Sequence, residues 1–174
     1  MPTIHKIVPC LWFDDEAEEA ARFYVSVFEG SRIDRITRYG EDGEAEHARP
    51  PGSVLTVAFE LGGQPFTALN GGRAVEFSDA MSLQVMCDTQ DEIDCYWARL
   101  SAGGDAKAQR GGWLKDRYGL SWQLVPARLT EWIADPDPVK ASRTVRAIFQ
   151  MKKLDIAALE RAHAGEHFSA SPVM

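Results

Sequence analysis

The sequence contains few of the residues that form disulfides or bind transition metals. Three cysteines are too few, and too widely spaced, for a disulfide framework or a CxxC zinc site. They are Cys10, Cys87 and Cys95. The four histidines lie near the termini or in one polar loop and form no ligand motif or Ser–His–Asp set; they are His5, His47, His163 and His167. We therefore predict neither a disulfide-stabilised fold nor a zinc knuckle.

Long apolar runs and a nucleotide-binding loop are also missing. No stretch of eighteen consecutive apolar residues occurs, and the N-terminus has no signal-peptide pattern, so we expect a cytoplasmic protein with no membrane partner. No G-x-G-x-x-G follows a strand and opens a helix. The pairs Gly71-Gly72 and Gly111-Gly112 read as linker or hairpin glycines. An ordinary nucleotide-type cofactor site is therefore not expected.

Positive charge is scarce in most of the chain and concentrated near its end. The net charge is −7, but residues 138–163 carry six basic residues against two acidic ones. This segment lacks interleaved aromatic residues, and the acidic remainder would repel phosphate. We therefore expect no nucleic-acid partner and interpret the segment as a cationic helix lying on an acidic body.

One pattern occurs twice in the chain. A short apolar strand leads into an acidic helix start, an amphipathic helix and then further strands, first from Ile4–Phe13 and again from Met81–Cys87. An offset of about 73 residues aligns the copies, with Ala20 on Ile93 and Val27 on Leu100. Such a repeat indicates a duplicated half-domain around a cleft.

The remaining elements follow from periodicity and turn residues. We expect helices over 15–29 and from about 90 to Gly103, the second opened by a Thr89–Glu92 capping box. Further strands are expected at 32–39, 53–61, 64–70, 112–115 and 121–125, and the last helices at about 129–133, 138–151 and 155–164. Lys115, Asp116 and Arg117 are expected to supply turn chemistry and a surface ion pair at the 116–119 turn.

Strand parity divides the side chains into two faces. We expect one face to pack on the helices, and in the first strand this set is Val8, Cys10 and Trp12. The opposite face is polar but uncharged in the second half of the chain, so it either meets water as a solvated groove or holds a ligand. The residues that we predict for a ligand site are Leu11, Thr67, Leu69, Asn70, Ser82, Gln84, Trp113 and Gln123.

Several segments together resemble a known family. Leu11-Trp12-Phe13 with Ala17–Phe28, then Phe66–Gly72, and above all the tryptophan-rich segment Gly112–Pro126, are similar to the vicinal oxygen chelate (glyoxalase/bleomycin-resistance) superfamily, in its PhnB-like branch. That branch is often labelled demethylubiquinone methyltransferase-like. The resemblance covers about residues 4–127, and the tail to about Ala162 also looks typical of the branch.

The resemblance implies an architecture. It is an α+β fold in which paired βαβββ modules form an eight-stranded, cup-like mixed sheet, and a homodimer. We expect a glyoxalase-like domain at 1–127, with modules at about 1–72 and 80–127. A helical extension at 128–164 and a disordered tail at 165–174 complete the chain.

The resemblance also points to four positions that bind metal in other members. They are Pro9, Thr67, Ser82 and Gln123. Only Gln123 offers a reasonable ligand, because proline has no donor atom and hydroxyls alone bind divalent metals poorly. His5 shares parity with Pro9, and its role and that of the loop residue His47 stay open. We predict no transition metal and no other cofactor.

Two functions remain open. The protein is either an enzyme acting on a small organic molecule without a transition metal, or a non-enzymatic binding or sequestering protein like the drug-resistance members. No catalytic residue can be assigned, and methyl transfer is not expected. The predicted face carries no cation, so we expect a neutral or weakly polar ligand.

Overall fold

The computed structural model describes residues 5–41, 48–73 and 75–166. Contacts divide the chain into two compact units, Met1–Phe77 and Ser78–Met174. His47, the loop residue whose role the sequence left open, lies outside the described residues. The chain from residue 167 onward, part of the tail that we predicted to be disordered, also lies outside them. Each unit is built around its own sheet.

The first unit contains a four-stranded sheet. Its strands are β1 (Cys10–Phe13), β2 (Arg32–Arg38), β3 (Val54–Leu61) and β4 (Gln64–Asn70), and helix α1 (Ala17–Val27) follows β1. The spatial order is β1-β4-β3-β2, with β1 parallel to β4 and the other neighbours antiparallel. β1 is much shorter than the strand predicted for residues 4–13.

Alternate residues of this sheet bury against α1. Phe59 of β3 and Phe66 of β4 stack with ring centroids 5.4 Å apart, and both are buried. Tyr24 of α1 lies over Phe59 at 6.4 Å. Ala20 and Val27 of α1 are also buried. The amphipathic periodicity of α1 therefore decides which sheet face becomes the core.

The second unit repeats this arrangement with one strand fewer. Its elements are β5 (Leu83–Cys87), α2 (Gln90–Ser101), β6 (Trp113–Lys115) and β7 (Ser121–Pro126), with a 3-10 helix at Ala106–Ala108. The order is β5-β7-β6, with β5 parallel to β7 and β6 antiparallel to it. The structure confirms the capping box at the start of α2, because Thr89 and Glu92 each bond the other's backbone amide.

Three C-terminal helices complete this second unit. They are α3 (Leu129–Ile133), α4 (Pro138–Phe149) and α5 (Ile156–Ala164). Their apolar side chains form one buried cluster with β7: Val125, Trp132, Ala147, Leu154, Leu159 and Ala162. The backbone amides of Gly111 and Gly112 donate to the carbonyls of Met151 and Lys152 at 2.7 and 2.8 Å. The helices are thereby bonded directly to the turn that precedes β6.

The predicted α+β class is confirmed, with a smaller number of strands. Seven strands in two sheets occur among residues 5–41, 48–73 and 75–166, against the eight expected in one sheet. After α2, the place of a further strand is taken by the 3-10 helix and an isolated bridge between Arg110 and Trp113. None of the helices in the described part of the chain is long and apolar enough to cross a membrane.

Candidate functional site

The open face of the second sheet carries a row of side chains that hydrogen-bond to one another. Gln84 of β5 and Trp113 of β6 both lie opposite Gln123 of β7, so the three share one face. Gln84 Nε2 donates to Gln123 Oε1 at 3.2 Å, and Gln123 Nε2 donates to Ser82 Oγ at 2.7 Å. The predicted set Ser82, Gln84, Trp113 and Gln123 is therefore brought together in space. Gln123 at its centre is half-buried.

A pocket of about 380 Å³ lies at the β6 end of this face. One wall is formed by Trp113 and Lys115, which flank the buried Leu114 on β6, and by Ser121, which lies opposite Lys115 on β7. The remaining lining residues are Asp79, Lys107, Ala108, Arg110 and Leu114. Its size suits a small organic molecule. Trp113 lines the pocket and also lies opposite Gln123, the central residue of the hydrogen-bonded row Ser82–Gln123–Gln84, here called the amide row.

The sequence had led us to expect a face without positive charge, but this face does carry a cation. Lys115 shares the parity of Trp113, and its Nζ lies 2.8 Å from Asp79 Oδ1. Lys115 lowers the pKa of Asp79, and a hydrogen bond from Ser121 Oγ at 3.3 Å supports the same charged form. The expectation of an uncharged face is wrong because it considered only the longer strands β5 and β7. Asp79 lies in a turn, Lys107 in the 3-10 helix and Arg110 at an isolated bridge, where strand parity gives no assignment.

A buried carboxylate fixes the turn between β6 and β7. Asp116 is only 2% exposed and accepts hydrogen bonds from Tyr118 N, Leu120 N and Trp122 Nε1 at 2.8, 3.1 and 2.8 Å. We had expected Lys115, Asp116 and Arg117 to supply turn chemistry and a surface ion pair. Asp116 does bond the amides of the turn, but it does so from a buried position and also holds the core indole of Trp122.

A glycine lets the chain after α2 approach this hairpin. A Cβ atom on Gly104 would collide with the backbone carbonyl oxygen of Lys115. Only glycine allows this approach. The segment carrying Lys107 is in this way held close to β6, which places it at the pocket.

In the first unit, the predicted site residues divide between the two faces. Thr67 and Leu69 of β4 lie opposite Cys10 and Trp12 of β1, on the face away from α1. Leu11 pairs with Ala68 and is 2% exposed, so it belongs to the core. The parity that we predicted for β1 is therefore wrong: Cys10 and Trp12 lie on the open face.

The error has a geometric cause. Phe13 O accepts from Gly71 N, and Cys87 O accepts from Ala127 N, so the ends of β1 and β5 are equivalent at an offset of 74 residues. The two helices, however, have their N-caps at Glu16 and Thr89, so the helix starts are equivalent at an offset of 73 residues. The first connection is one residue longer, and a slip of one residue moves every strand side chain to the other face.

Asn70 is occupied in structure rather than placed for a ligand. It is 4% exposed and lies opposite Phe13. Its Oδ1 accepts from Ala17 N at 2.8 Å, and its Nδ2 donates to Val54 O at 3.0 Å. Because Glu16 makes no side-chain cap, Asn70 satisfies the first turn of α1 from a neighbouring strand. The face predicted for Asn70 is wrong for this reason.

Two of the three thiols, those of Cys10 and Cys87, are not activated. Burial, with smaller contributions from Glu92 and Asp88, raises the pKa of Cys87 to about 12, and burial also raises the pKa of Cys10. Cys10 is nevertheless exposed on the open face, not packed on the helix as we predicted. A thiol with a raised pKa holds its proton at neutral pH and is a weak nucleophile. Neither residue fits a catalytic role.

The described histidines do not form a catalytic or metal-binding group at this face. His5 is exposed. His163 lies among the C-terminal helices, where Nδ1 is 3.1 Å from Thr144 Oγ1 and Nε2 is 3.1 Å from Asp135. No group of three His, Cys, Asp or Glu residues among the described positions could hold a metal. The resemblance aligned four positions with the metal ligands of other members, among them Pro9 and Thr67. In the β1–β4 register, Cys10 and not Pro9 lies opposite Thr67.

A family profile described as 3-demethylubiquinone-9 3-methyltransferase matches residues 5–125. The chain belongs to this family. The match confirms the predicted resemblance to the PhnB-like branch of the vicinal oxygen chelate superfamily. It ends at Val125, so the C-terminal helices, which we expected to share the resemblance, lie outside the matched residues.

Solved structures agree with this assignment. The PhnB protein from Bacillus cereus is 38% identical, with a TM-score of 0.62 over 71% of this chain and 100% of its own. Protein PA1353 from Pseudomonas aeruginosa is 18% identical, with a TM-score of 0.55 over 70% of this chain and 96% of its own, a likeness of fold alone. No curated protein matches the chain.

Proposed function

We propose that the protein binds a small organic molecule on the open face of its second sheet, without a transition metal held by its side chains. The observation that carries this proposal is the hydrogen-bonded row Ser82–Gln123–Gln84 beside a pocket of about 380 Å³ walled by Trp113. A cavity of this size with an aromatic wall and a few placed polar groups is typical of small-molecule sites. Trp113 offers a ring face, and Gln123 offers an amide.

Binding is favoured over catalysis by the chemistry of this face. Amides and a hydroxyl orient a ligand but do not transfer protons at neutral pH, and the nearby Asp79 is paired with Lys115. The family's description names a methyltransferase, but this sequence has no glycine-rich loop that would bind a nucleotide-type methyl donor. The alternative is an enzyme that uses Lys115 or Asp79 after ligand binding has separated them. Turnover of a bound compound distinguishes the two.

The experiment uses the full chain and benzamide, a neutral probe with a ring and an amide. We expect benzamide to shift the NMR signal of Trp113 Nε1–H, assigned with Trp113→Phe. Gln84→Leu and Gln123→Leu should each weaken binding by about 1–3 kcal/mol, the cost of a lost hydrogen bond in a buried complex. Gln64→Leu, an exposed glutamine in the first unit, is the matched control.

The same preparation gives an independent result by native mass spectrometry. A co-purified small molecule that Gln123→Leu fails to retain would support the proposal. Equal binding of benzamide to wild type, Gln84→Leu and Gln123→Leu would place the ligand elsewhere. Elemental analysis that finds about one tightly bound Zn, Ni, Fe or Mn per chain would contradict the metal-free part of the proposal.

A homodimer in the cytoplasm completes the proposal. Trp12 is 38% exposed on the open face of the first sheet, and Trp113 and Phe28 are half-buried. Exposed tryptophan surface of this kind favours association. Light scattering at micromolar concentration should give about twice the mass of one chain. The mass of a single chain would contradict the dimer, and recovery from the membrane or periplasmic fraction would contradict the location.

A further inference from the structure

We infer that the pocket beside Trp113 binds a small organic anion, whose acidic group pairs with Arg110 and Lys107 while its ring lies on Trp113. This inference rests on the proposed function, because it names the class of ligand for the same site. It replaces the expectation of a neutral ligand, which depended on a face without cations.

The charge around the pocket is the reverse of the charge of the whole protein. Three cationic residues line it, Lys107, Arg110 and Lys115, against one carboxylate, Asp79. The chain itself carries −7. A local excess of positive charge in an acidic protein concentrates anions at that place.

Two of the three cations are available to a ligand. Lys115 is paired with Asp79, which also accepts from Ser121. Lys107 and Arg110 form no ion pair with any carboxylate in the described part of the chain. The pocket therefore has one internally neutralised pair, Lys115–Asp79, and two cations that have no ion-pair partner among the described residues.

The backbone that carries these two cations is held in place. Arg110 N donates to Trp113 O at 3.1 Å, and Trp113 N donates to Arg110 O at 3.0 Å. The start of the 3-10 helix is capped where Asp105 Oδ1 accepts from Lys107 N at 2.8 Å. The tight turn fixes Arg110 relative to Trp113, so charge and ring belong to one built feature.

The geometry matches a ring with an acidic substituent. A guanidinium binds carboxylate or phosphate through two parallel hydrogen bonds, and an ammonium adds a point charge. The indole of Trp113 provides a surface for a ring, and Gln123, opposite Trp113 in the register, can bond a polar group at the far end. A carboxylate and a phosphate share this chemistry.

The test compares benzoate and phenyl phosphate with neutral benzamide on the full-length protein, followed at the Trp113 Nε1–H signal. We expect either anion to bind about five-fold tighter than benzamide at low salt, the effect of roughly one partly exposed ion pair. Arg110→Gln and Lys107→Gln should each remove most of this preference and leave benzamide unchanged. Whichever anion binds tighter identifies the acidic group as carboxylate or phosphate.

Arg161→Gln is the matched control, because it removes one exposed positive charge from the same unit at a residue that does not line the pocket. Benzoate and phenyl phosphate that bind no tighter than benzamide would overturn the inference. An equal loss of the preference for anions in Arg110→Gln and Arg161→Gln would also overturn it. The same holds if no probe at millimolar concentration shifts the Trp113 Nε1–H signal.

The outcomes separate this inference from the proposed function. If benzamide binds, if Gln123→Leu weakens its binding, and if the anions bind no tighter than benzamide, the amide-row site is supported and the inference of an anionic ligand is wrong. Anion binding that is weakened by Arg110→Gln but not by Gln123→Leu would support the anion-binding pocket and would exclude the amide row from the site.

Discussion

The two units build the same strand–helix–hairpin arrangement with different means of holding it. In each, the first strand is parallel to the last, and the carbonyl of Phe13 or Cys87 accepts from the residue just after the last strand. The first helix start is bonded by Asn70 of β4, whereas the second has its own Thr89–Glu92 capping box. The repeat therefore conserves topology and changes the residues that maintain it.

The open faces differ more than the cores. In the first unit, this face presents Cys10, Trp12, Thr67 and Leu69, and its neighbours across β3 are Thr56 and Ala58. In the second, it presents an amide row and a pocket with three cations. Cores must stay apolar to remain buried, but an open face carries no such constraint. This difference is the reason why the proposed ligand site lies in the second unit.

The largest test concerns the one-residue offset between the strands. Leu11→Ala should lower the free energy of unfolding by about 3 kcal/mol, because it leaves a cavity in the core against α1. Cys10→Ala, its exposed neighbour, should cost less than about 1 kcal/mol. Urea unfolding followed by circular dichroism measures both. A larger loss for Cys10→Ala would restore the 73-residue register for the strands.

The two hairpins offer the next test. Asp116→Ala should cost about 2–3 kcal/mol, because it leaves the amides of Tyr118 and Leu120 and the indole N–H of Trp122 without an acceptor in a buried site. The equivalent hairpin of the first unit uses Gly62 and Gly63, both at positive φ, and needs no anion. Asp91→Asn, on the exposed first turn of α2, is the control. Equal stability of the two variants would show that Asp116 is dispensable.

The two helix starts give a smaller effect. Asn70→Ala should cost about 1–2 kcal/mol, since it leaves Ala17 N and Val54 O unpaired in a buried region. Thr89→Ala should cost about 1 kcal/mol, as for an ordinary N-cap. Thermal unfolding of the two variants compares them directly. A cost for Asn70→Ala below that for Thr89→Ala would contradict its role as a remote cap.

The smallest effect is the acid dependence of the ion pairs. Arg73 and then Arg49 lower the pKa of Asp14 in the first unit, while Lys115 lowers the pKa of Asp79 in the second. A carboxyl whose folded-state pKa is lowered stabilises the fold above its unfolded pKa of about 3.9, and this contribution is lost as the pH falls through the lowered value.

Urea midpoints between about pH 5 and pH 2 measure this loss. Asp14→Asn should make the decline in stability below about pH 4 shallower, and Asp79→Asn should do so less, because Asp14 has two cationic partners and Asp79 one. A steeper decline in either variant would show the opposite sign. Identical curves for both variants and wild type would show that these ion pairs do not contribute to the acid dependence of stability.

The sequence allowed most of the elements to be predicted, and the reasons are local. Hairpin glycines placed the β3–β4 turn, helical spacing placed Ala20, Tyr24 and Val27 in the core, and the second capping box was readable as a motif. Polar alternation in a clear strand was enough to bring Gln84 and Gln123 together. These features depend on neighbours within a few residues.

The errors arose where a decision depended on distant residues. Nothing local shows that the connection before α1 is one residue longer than its counterpart, so Leu11 and Cys10 were assigned to the wrong faces. Asp116 resembles any turn aspartate until Trp122 is seen to donate to it. Lys107 lies in a 3-10 helix and Arg110 at an isolated bridge, and they reach the pocket only through the close approach at Gly104 and the turn that bonds Arg110 to Trp113.

The sequence by itself therefore determined the repeat, the family and the identity of the amide row, because periodicity and motif are properties of short segments. Tertiary structure alone decided which face of β1 is buried, what maintains each helix start and hairpin, and where positive charge meets the open sheet. Those outcomes depend on register and long-range hydrogen bonds, in which one added residue reverses a face and a turn carries a charge across the chain.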